Sequence, residues 1–282
     1  MTDRLAFIGF GEAARAFAGS VTRTGLRDLA AFDVKPGLDA ALRDNRVQGG
    51  ERAAVLRSAG LVWCLVTADQ ADTAAGQCAA HLETGALWFD GNSCAPGTKA
   101  RAAALIDGAG GRYVDVAIMA PVHPLRARVP VLLAGPHADA AARALTDLGM
   151  NPTVVGDRVG QASTIKMLRS VMIKGIEALT AECLLAARRA GVDGAVLASL
   201  QASDPGFDWE ARSGYSLERM AVHGRRRAAE MREVARTLRD LDLPDRMASA
   251  TADWQDQIAA LDAEIGDGFG PRADALLAAL LR

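Results

Sequence analysis

A short glycine-rich turn is the first place where residue types and spacing point to chemistry. Gly9-Phe10-Gly11-Glu12-Ala13-Ala14 is a GxGxxA set directly after the apolar run Leu5-Ala6-Phe7-Ile8, at the opening of a stretch with helical spacing. Gly9 permits a tight turn, Gly11 lets a pyrophosphate approach the backbone, and Ala14 allows close helix–strand packing. The helix start adds free N–H groups and the positive end of its dipole. About twenty positions on, Asp33 closes the next apolar run, where a carboxylate accepts both hydroxyls of a ribose. Gly9 to Ala14 and Asp33 therefore read as a dinucleotide site; the alternative is a tight βα turn that binds nothing. A carboxylate at Asp33 repels a 2′-phosphate, which favours NAD over NADP. NADP stays open because Lys35 lies close by and can offset part of that repulsion, unless it is simply a solvated turn lysine.

Three further positions carry chemistry. Val66 and Thr67 end a central apolar run, where an open α/β sheet places its ligand, and so should border the cofactor. Asp90-Gly91-Asn92-Ser93-Cys94 follows the next run and precedes Pro96. Its carboxamide, hydroxyl and backbone N–H groups suit a carboxylate or a nicotinamide amide, or form an ordinary N-cap. Gly160-Gln161-Ala162-Ser163-Thr164-Ile165-Lys166 places a lysine early in an otherwise apolar helix. Partial desolvation would lower its pKa and make it a general acid or base near neutral pH. Ser170 and Lys174 lie one and two turns on, at the same face. The alternative for Lys166 is a lysine whose head reaches solvent while its stem lies on apolar surface.

The elements that must position these residues alternate. Strand runs are expected at Leu5–Ile8, Leu29–Phe32, Leu61–Val66, Ala86–Phe89, Tyr113–Ile118, Val129–Leu133 and Thr153–Val155. Helical stretches are expected at Glu12–Arg23, Leu38–Ser58, Asp69–Leu82 and Pro96–Ala109. Near-continuous apolar strands and the alternation of strand and helix suit a mostly parallel sheet covered on both faces. After Gly160 the strands stop. Gln161–Ala190, Ser213–Leu241, Pro244–Ile265 and Pro271–Leu281 all read as helices. The fold class expected is α/β plus all-α: a doubly wound Rossmann-type sheet over residues 1–157, then a helical domain over 158–282 that begins with a long interdomain helix.

Composition narrows the classes. The chain has 282 residues, half of them hydrophobic, and 32 Lys plus Arg against 34 Asp plus Glu. That balance argues against a nucleic-acid binder, which shows a basic excess, and against disorder. Cys64, Cys78, Cys94 and Cys183 form no CxxC pair and read as reduced thiols, so no metal site is expected. No apolar stretch reaches the ~20 residues a membrane helix needs. Asp3 and Arg4 precede the first strand with no cleavable apolar region, so a cytoplasmic protein is expected. His223 and Arg225 to Arg227 form a basic cluster on the Ser213–Leu241 helix. It either reaches an acidic substrate, in the same subunit or a partner's, or pairs with Glu218, Glu230 and Glu233.

In their order along the chain these motifs resemble the β-hydroxyacid dehydrogenase superfamily, the group of 6-phosphogluconate and 3-hydroxyisobutyrate dehydrogenases. Gly9, Gly11 and Ala14 match its cofactor fingerprint. Asp90 to Ser93 with Pro96 resemble its D-x-S-T-x-x-P loop, and Asp115 opens what resembles its second substrate motif. Gly160 to Lys166 resembles G-x-G-x-x-x-K, whose lysine is the family's proton-transfer residue. The segment from Lys166 to Val192 is similar to a branch with its own helical C-terminal domain. The resemblance implies an NAD(P)-dependent oxidoreductase acting on CH–OH, with Lys166 as general acid or base and Ser170, in place of the family's Asn, orienting the reacting oxygen. It implies Asn92 near the cofactor, and a homodimer formed through the helical domain. Where the family reads D-A-P-V-S-G-G, this chain reads Asp115-Val116-Ala117-Ile118-Met119-Ala120-Pro121. A substrate bulkier than small 3-hydroxy acids is therefore expected, lined by Ser93, Cys94, Met119, His123 and Arg169. The competing readings are an imine reductase on the same scaffold and a non-catalytic dinucleotide-binding protein.

Overall fold

The computed structural model describes residues 4–21 and 28–282. The expected helix end at Arg23, and Asp3 before the first strand, lie outside the described residues. The chain divides into two compact units, Met1–Met167 and Leu168–Arg282.

In the first unit eight strands form one sheet: β1 (Arg4–Ile8), β2 (Asp28–Phe32), β3 (Gln48–Gly49), β4 (Ala59–Cys64), β5 (Leu87–Asp90), β6 (Arg112–Ile118), β7 (Pro130–Ala134) and β8 (Asn151–Gly156). Their order is β3-β2-β1-β4-β5-β6-β7-β8. The order reverses beside β1, which pairs with β2 on one side and β4 on the other. Ligands of open α/β sheets bind outside the strand ends at such a reversal.

Side chains alternate between two cores. Leu5, Phe7, Trp63, Leu87, Phe89, Val114 and Val116 enter one; Ala6, Ile8, Val62, Cys64, Trp88 and Tyr113 enter the other. Helices α1 (Glu12–Val21) and α6 (Ala138–Asp147) contribute to the first core. Helices α3 (Arg52–Leu56), α4 (Ala71–Ala79) and α5 (Pro96–Gly108) contribute to the second. Both faces are thus buried, which is why the strands read as continuous apolar runs. Trp63 lies between the rings of Phe17 and Phe89, with centroids 5.1 Å away in each case.

The sheet is mostly parallel, as expected, and one expectation changes. The stretch Leu38–Ser58 is not all helical: between α2 (Asp39–Asp44) and α3 lies β3, where Gln48 and Gly49 pair with Ala30 and Ala31. Strand β7 runs antiparallel to β6. Only residues 119–129 join them, and a parallel return needs a crossover of a dozen or more residues.

Helix α7 (Gln161–Ala190) has the bounds expected from the sequence. Its first two turns belong to the first unit, and the rest opens the helical one. There it is joined by α8 (Asp193–Ser203), α9 (Trp209–Asp240), α10 (Arg246–Ala260) and α11 (Phe269–Leu280). Asp208 starts α9 by accepting from Ala211 N–H at 2.9 Å. Leu184, Leu217, Met220, Ile258, Phe269 and Leu276 are among the residues that form this unit's core. Helix α8 has no fully buried side chain, although Val196 and Leu197 pack partly buried against this core. Among the described residues no helix is long and apolar enough to cross a membrane.

Candidate active site

The fingerprint turn is built as its residue types require. Gly9 has φ +88°, and a Cβ there would lie 2.5 Å from the Leu65 carbonyl oxygen, so only glycine fits. A Cβ on Gly11 would meet no atom within 4 Å. Packing within the chain therefore does not demand that glycine, whereas a ligand lying against the backbone would. Gly11 C=O accepts from Arg15 N–H at 3.1 Å, which makes it the cap of α1. The first N–H groups of a helix have no acceptor of their own and attract anions. Ala14 is fully buried and Ala13 partly so, while Glu12 is exposed. These features fit a dinucleotide's pyrophosphate.

Asp33 is half-buried at the end of β2, and its carboxylate holds the turn itself. It accepts from Phe10 N–H at 2.7 Å and Lys35 N–H at 2.9 Å. Beside it opens a cleft of about 470 Å³ lined by Phe10, Asp33, Lys35, Leu38, Arg43 and Gly49, among others. Lys35 is exposed at its rim. Across the reversal, Val66 is half-buried and Thr67 exposed at the end of β4. The Thr67 hydroxyl bonds Asp69 and, with Gln70, lowers that carboxyl's pKa.

The loop after β5 is organised around a buried charge cluster. Asp90 Oδ1 accepts from Asn92 N–H at 3.0 Å, Asn92 Nδ2 at 2.7 Å and Lys99 Nζ at 3.0 Å. Asp90 Oδ2 accepts from the Tyr113 hydroxyl at 2.7 Å. Lys99 also donates to the Asp90 carbonyl at 2.6 Å and lies 3.6 Å from Asp115 Oδ1. Asp115 Oδ2 accepts from Gly160 N–H and Ser163 N–H, each at 3.0 Å, and from Ser163 Oγ at 3.1 Å. A carboxylate from β6 thus caps α7, where its charge faces the positive end of the helix dipole. Gly160 has φ +100° and sits against Pro96, so the starts of α5 and α7 touch.

Burial opposes the charge on Lys99, but Asp90 and Asp115 together outweigh it and hold its pKa above the ordinary lysine value. Burial, reinforced by the same two carboxylates, pushes the Tyr113 phenol well above its usual range. Burial, then Asp90, does the same to the Cys64 thiol.

This framework brings two of the expected residues together. Lys166 Nζ, half-buried on the second turn of α7, donates to Ser93 Oγ at 2.7 Å. Asn92, next to Ser93 in the chain, is buried. Its Nδ2 also reaches Cys64 Sγ at 3.4 Å, and its Oδ1 has no hydrogen-bond partner among the described residues. Cys94 faces inward and donates to the Ala68 carbonyl at 3.3 Å. Met119 is half-buried, and His123 is exposed. Arg169 is exposed on α7, while Ser170 is buried and accepts from Lys174 Nζ at 3.4 Å.

In the helical unit Lys174 pairs with Glu230 at 2.8 Å, and Arg226 reaches the same carboxylate at 3.2 Å. Burial draws the Lys174 pKa down against the pull of Glu230. Arg227 is buried and pairs with Glu177, and Arg236 pairs with Glu233 at 3.0 Å. Arg226 and Arg227 of the basic cluster therefore face carboxylates of their own unit; Arg225 is exposed and His223 half-buried.

The sequence motifs assign no role of their own to Lys99, Tyr113 or Ser163. One signal for Lys99 was available: only four of the 32 basic residues are lysines, at positions 35, 99, 166 and 174. In a chain that uses arginine almost everywhere, Lys99 and Lys174 stand out as buried ammonium groups.

Sheet order, fingerprint turn and helical second unit together define a dinucleotide-binding α/β protein with an appended helical domain. Residues 187–258 match the domain of unknown function DUF1932. A conserved hypothetical protein from Sinorhizobium meliloti 1021 is 38% identical, over 99% of this chain and 97% of that one, with a TM-score of 0.77. The conserved protein MTH1747, whose structure shows similarity with 3-hydroxyacid dehydrogenases, is 32% identical over 92% of this chain and 98% of that one, with a TM-score of 0.72. The 3-hydroxyisobutyrate dehydrogenase of Mycobacterium tuberculosis, solved with L-serine, shares the fold at 14% identity, over all of both chains, with a TM-score of 0.77. An uncharacterized 28.5 kDa protein of Methanothermus fervidus is 27% identical over 165 residues, and the match spans 63% of that protein's length. The chain belongs to the β-hydroxyacid dehydrogenase superfamily, in a branch that carries the DUF1932 helical domain.

Proposed function

We propose that the protein is an NAD(P)-dependent oxidoreductase acting on a hydroxy or carbonyl substrate, with Lys166 as general acid and base. The observation that carries this is the Lys166 Nζ to Ser93 Oγ hydrogen bond of 2.7 Å. It joins the helix that follows the sheet to the loop after β5, whose neighbouring Asn92 has a buried carbonyl oxygen with no partner among the described residues. A bound nicotinamide supplies or accepts the hydride. Lys166 Nζ takes the hydroxyl proton in oxidation and returns it to the oxygen in reduction. Ser170, one turn further along the same helix, orients that oxygen. Asn92 and Ser93 hold a polar group, either the nicotinamide amide or a substrate carboxylate. Gly9 to Ala14 bind the pyrophosphate and Asp33 the adenosine ribose, which favours NAD. Met119-Ala120-Pro121 in place of a Ser-Gly-Gly loop supports a substrate larger than small 3-hydroxy acids. Met172, Leu179 and Val222 on α7 and α9 are 63%, 55% and 58% exposed, which supports a homodimer through the helical unit.

The test is oxidation of NADH and NADPH with a panel of carbonyl compounds and imines, repeated with Lys166→Ala. Loss of turnover by ~100-fold or more at unchanged cofactor affinity is expected, the range for a lost general acid. Turnover of Lys166→Ala at the wild-type rate would overturn the assignment. A preference for imines would favour the imine reductase, and tight cofactor binding without any turnover would favour a binding protein.

A further inference from the structure

The four lysines are not equivalent. Lys35 is exposed, Lys166 half-buried and Lys174 buried against Glu230, while Lys99 is 0% exposed inside the sheet unit. Its ammonium stands between two carboxylates with different duties. Asp90 shapes the loop that carries Ser93, through Asn92 N–H and Nδ2. Asp115 caps the helix that carries Lys166, through Gly160 and Ser163. Lys166 lies three residues beyond Ser163, so the cap sets the height and rotation of the turn that presents it.

We propose that Lys99 is a positioning residue: by bridging Asp90 and Asp115 it holds the loop after β5 and the start of α7 in the one register that lets Ser93 meet Lys166. The proposal rests on reading Lys166 as the proton-transfer residue. Two buried carboxylates without a cation between them repel and cannot both stay ionised. With the ammonium present, Asp90 at the end of β5 and its register partner Asp115 on β6 are drawn to one point. Lysine suits the task because its three donors reach the Asp90 carboxylate, the Asp90 carbonyl and the Val116 carbonyl, while its compact charge lies 3.6 Å from Asp115 Oδ1. Its pKa, held up by those carboxylates, keeps it charged at neutral pH.

The test needs neither substrate nor cofactor. Protein containing ε-13C-lysine carries label at only four positions, and the titration of Lys166 is followed by NMR in the free chain. In the wild type, Ser93→Ala lowers the proton affinity of Lys166 about fivefold, the worth of one hydrogen bond. In a Lys99→Met background the same substitution has less than a ~2-fold effect, because the pair is no longer made. Lys99→Met leaves two carboxylates buried together and can fail to fold. The double variant Lys99→Met/Asp115→Asn keeps the cluster's net charge while cutting the bridge, and carries the test in that event. Lys174, held by Glu230, is the internal control and does not move. A Ser93 effect retained in full without Lys99, or a shift of Lys174 as large as that of Lys166, overturns the proposal. Absence of turnover with every substrate would count against the oxidoreductase reading and leave this result untouched.

Discussion

Alanine at Gly9 and alanine at Gly11 should separate folding from binding. At Gly9 the φ of +88° places a Cβ in the left-handed region, which costs roughly 1–2 kcal/mol. The new Cβ would also lie 2.5 Å from the Leu65 carbonyl oxygen and 2.8 Å from its carbon, so backbone must shift. Overpacking of that kind costs about 1–3 kcal/mol more. Gly9→Ala should therefore lose about 2–5 kcal/mol and melt roughly 5–15 °C lower, at the few degrees per kcal/mol usual for units of this size. Gly11→Ala meets no atom within 4 Å, and its φ is not in the left-handed region. Its cost is the change of cap residue, about 1 kcal/mol or less. Its methyl group, however, stands where a pyrophosphate must approach the backbone, so NADH and NADPH affinity should fall ~10-fold or more. Thermal melting followed by circular dichroism reads the first effect, and nicotinamide fluorescence titration reads the second. Wild-type cofactor affinity in a folded Gly11→Ala protein would refute the pyrophosphate assignment. A Gly9→Ala protein that melts with the wild type would refute the steric argument.

Three further outcomes are expected. Asp33→Asn removes the charge that opposes a 2′-phosphate and should shift the NADH-to-NADPH affinity ratio toward NADPH by ~10-fold, read by the same titration. Glu177→Gln leaves buried Arg227 without its carboxylate, at a cost of about 3–5 kcal/mol; a Glu177→Leu/Arg227→Met pair should recover most of it, and calorimetry showing the single and double variants equally unstable would refute the pairing. Burial pushes the Cys78 thiol from 9.0 up to about 12, so the unfolded chain loses its proton first. Its contribution is complete below pH 9 and fades as pH rises toward 12, by about 1.4 kcal/mol per pH unit. Urea unfolding at pH 8 and pH 10.5 should show a smaller loss for Cys78→Ala than for the wild type, and equal losses would refute the assignment.

Particular residues show what could be read in advance. Gln161–Ala190 was legible to the residue, because Gly160 and Gly191 bracket a long run of helix formers. The turn at Gly9 was legible because its glycines answer to local geometry and to a strand and helix on either side. Strand β3 was not, since two residues at a sheet edge leave no period to detect. Lys99 was not, because α5 is so rich in alanine that no apolar stripe marks its inner side. In the same helix Arg101 lies exposed against Asp72, and local sequence does not tell the two cations apart.

Residue order by itself determined the strand and helix rhythm, the change to all-helical sequence after Gly160, the dinucleotide turn and the lysine on α7. All of these depend on periods and contacts within a few residues. Tertiary structure alone decided that Lys166 meets Ser93 across 73 positions, that Asp33 braces its own turn, and that Asp115 caps α7 and does not stand free for a substrate. Those outcomes depend on which strands become neighbours and on which charges are then left without water. A buried charge must find its partner wherever the chain brings one, and sequence distance places no limit on that.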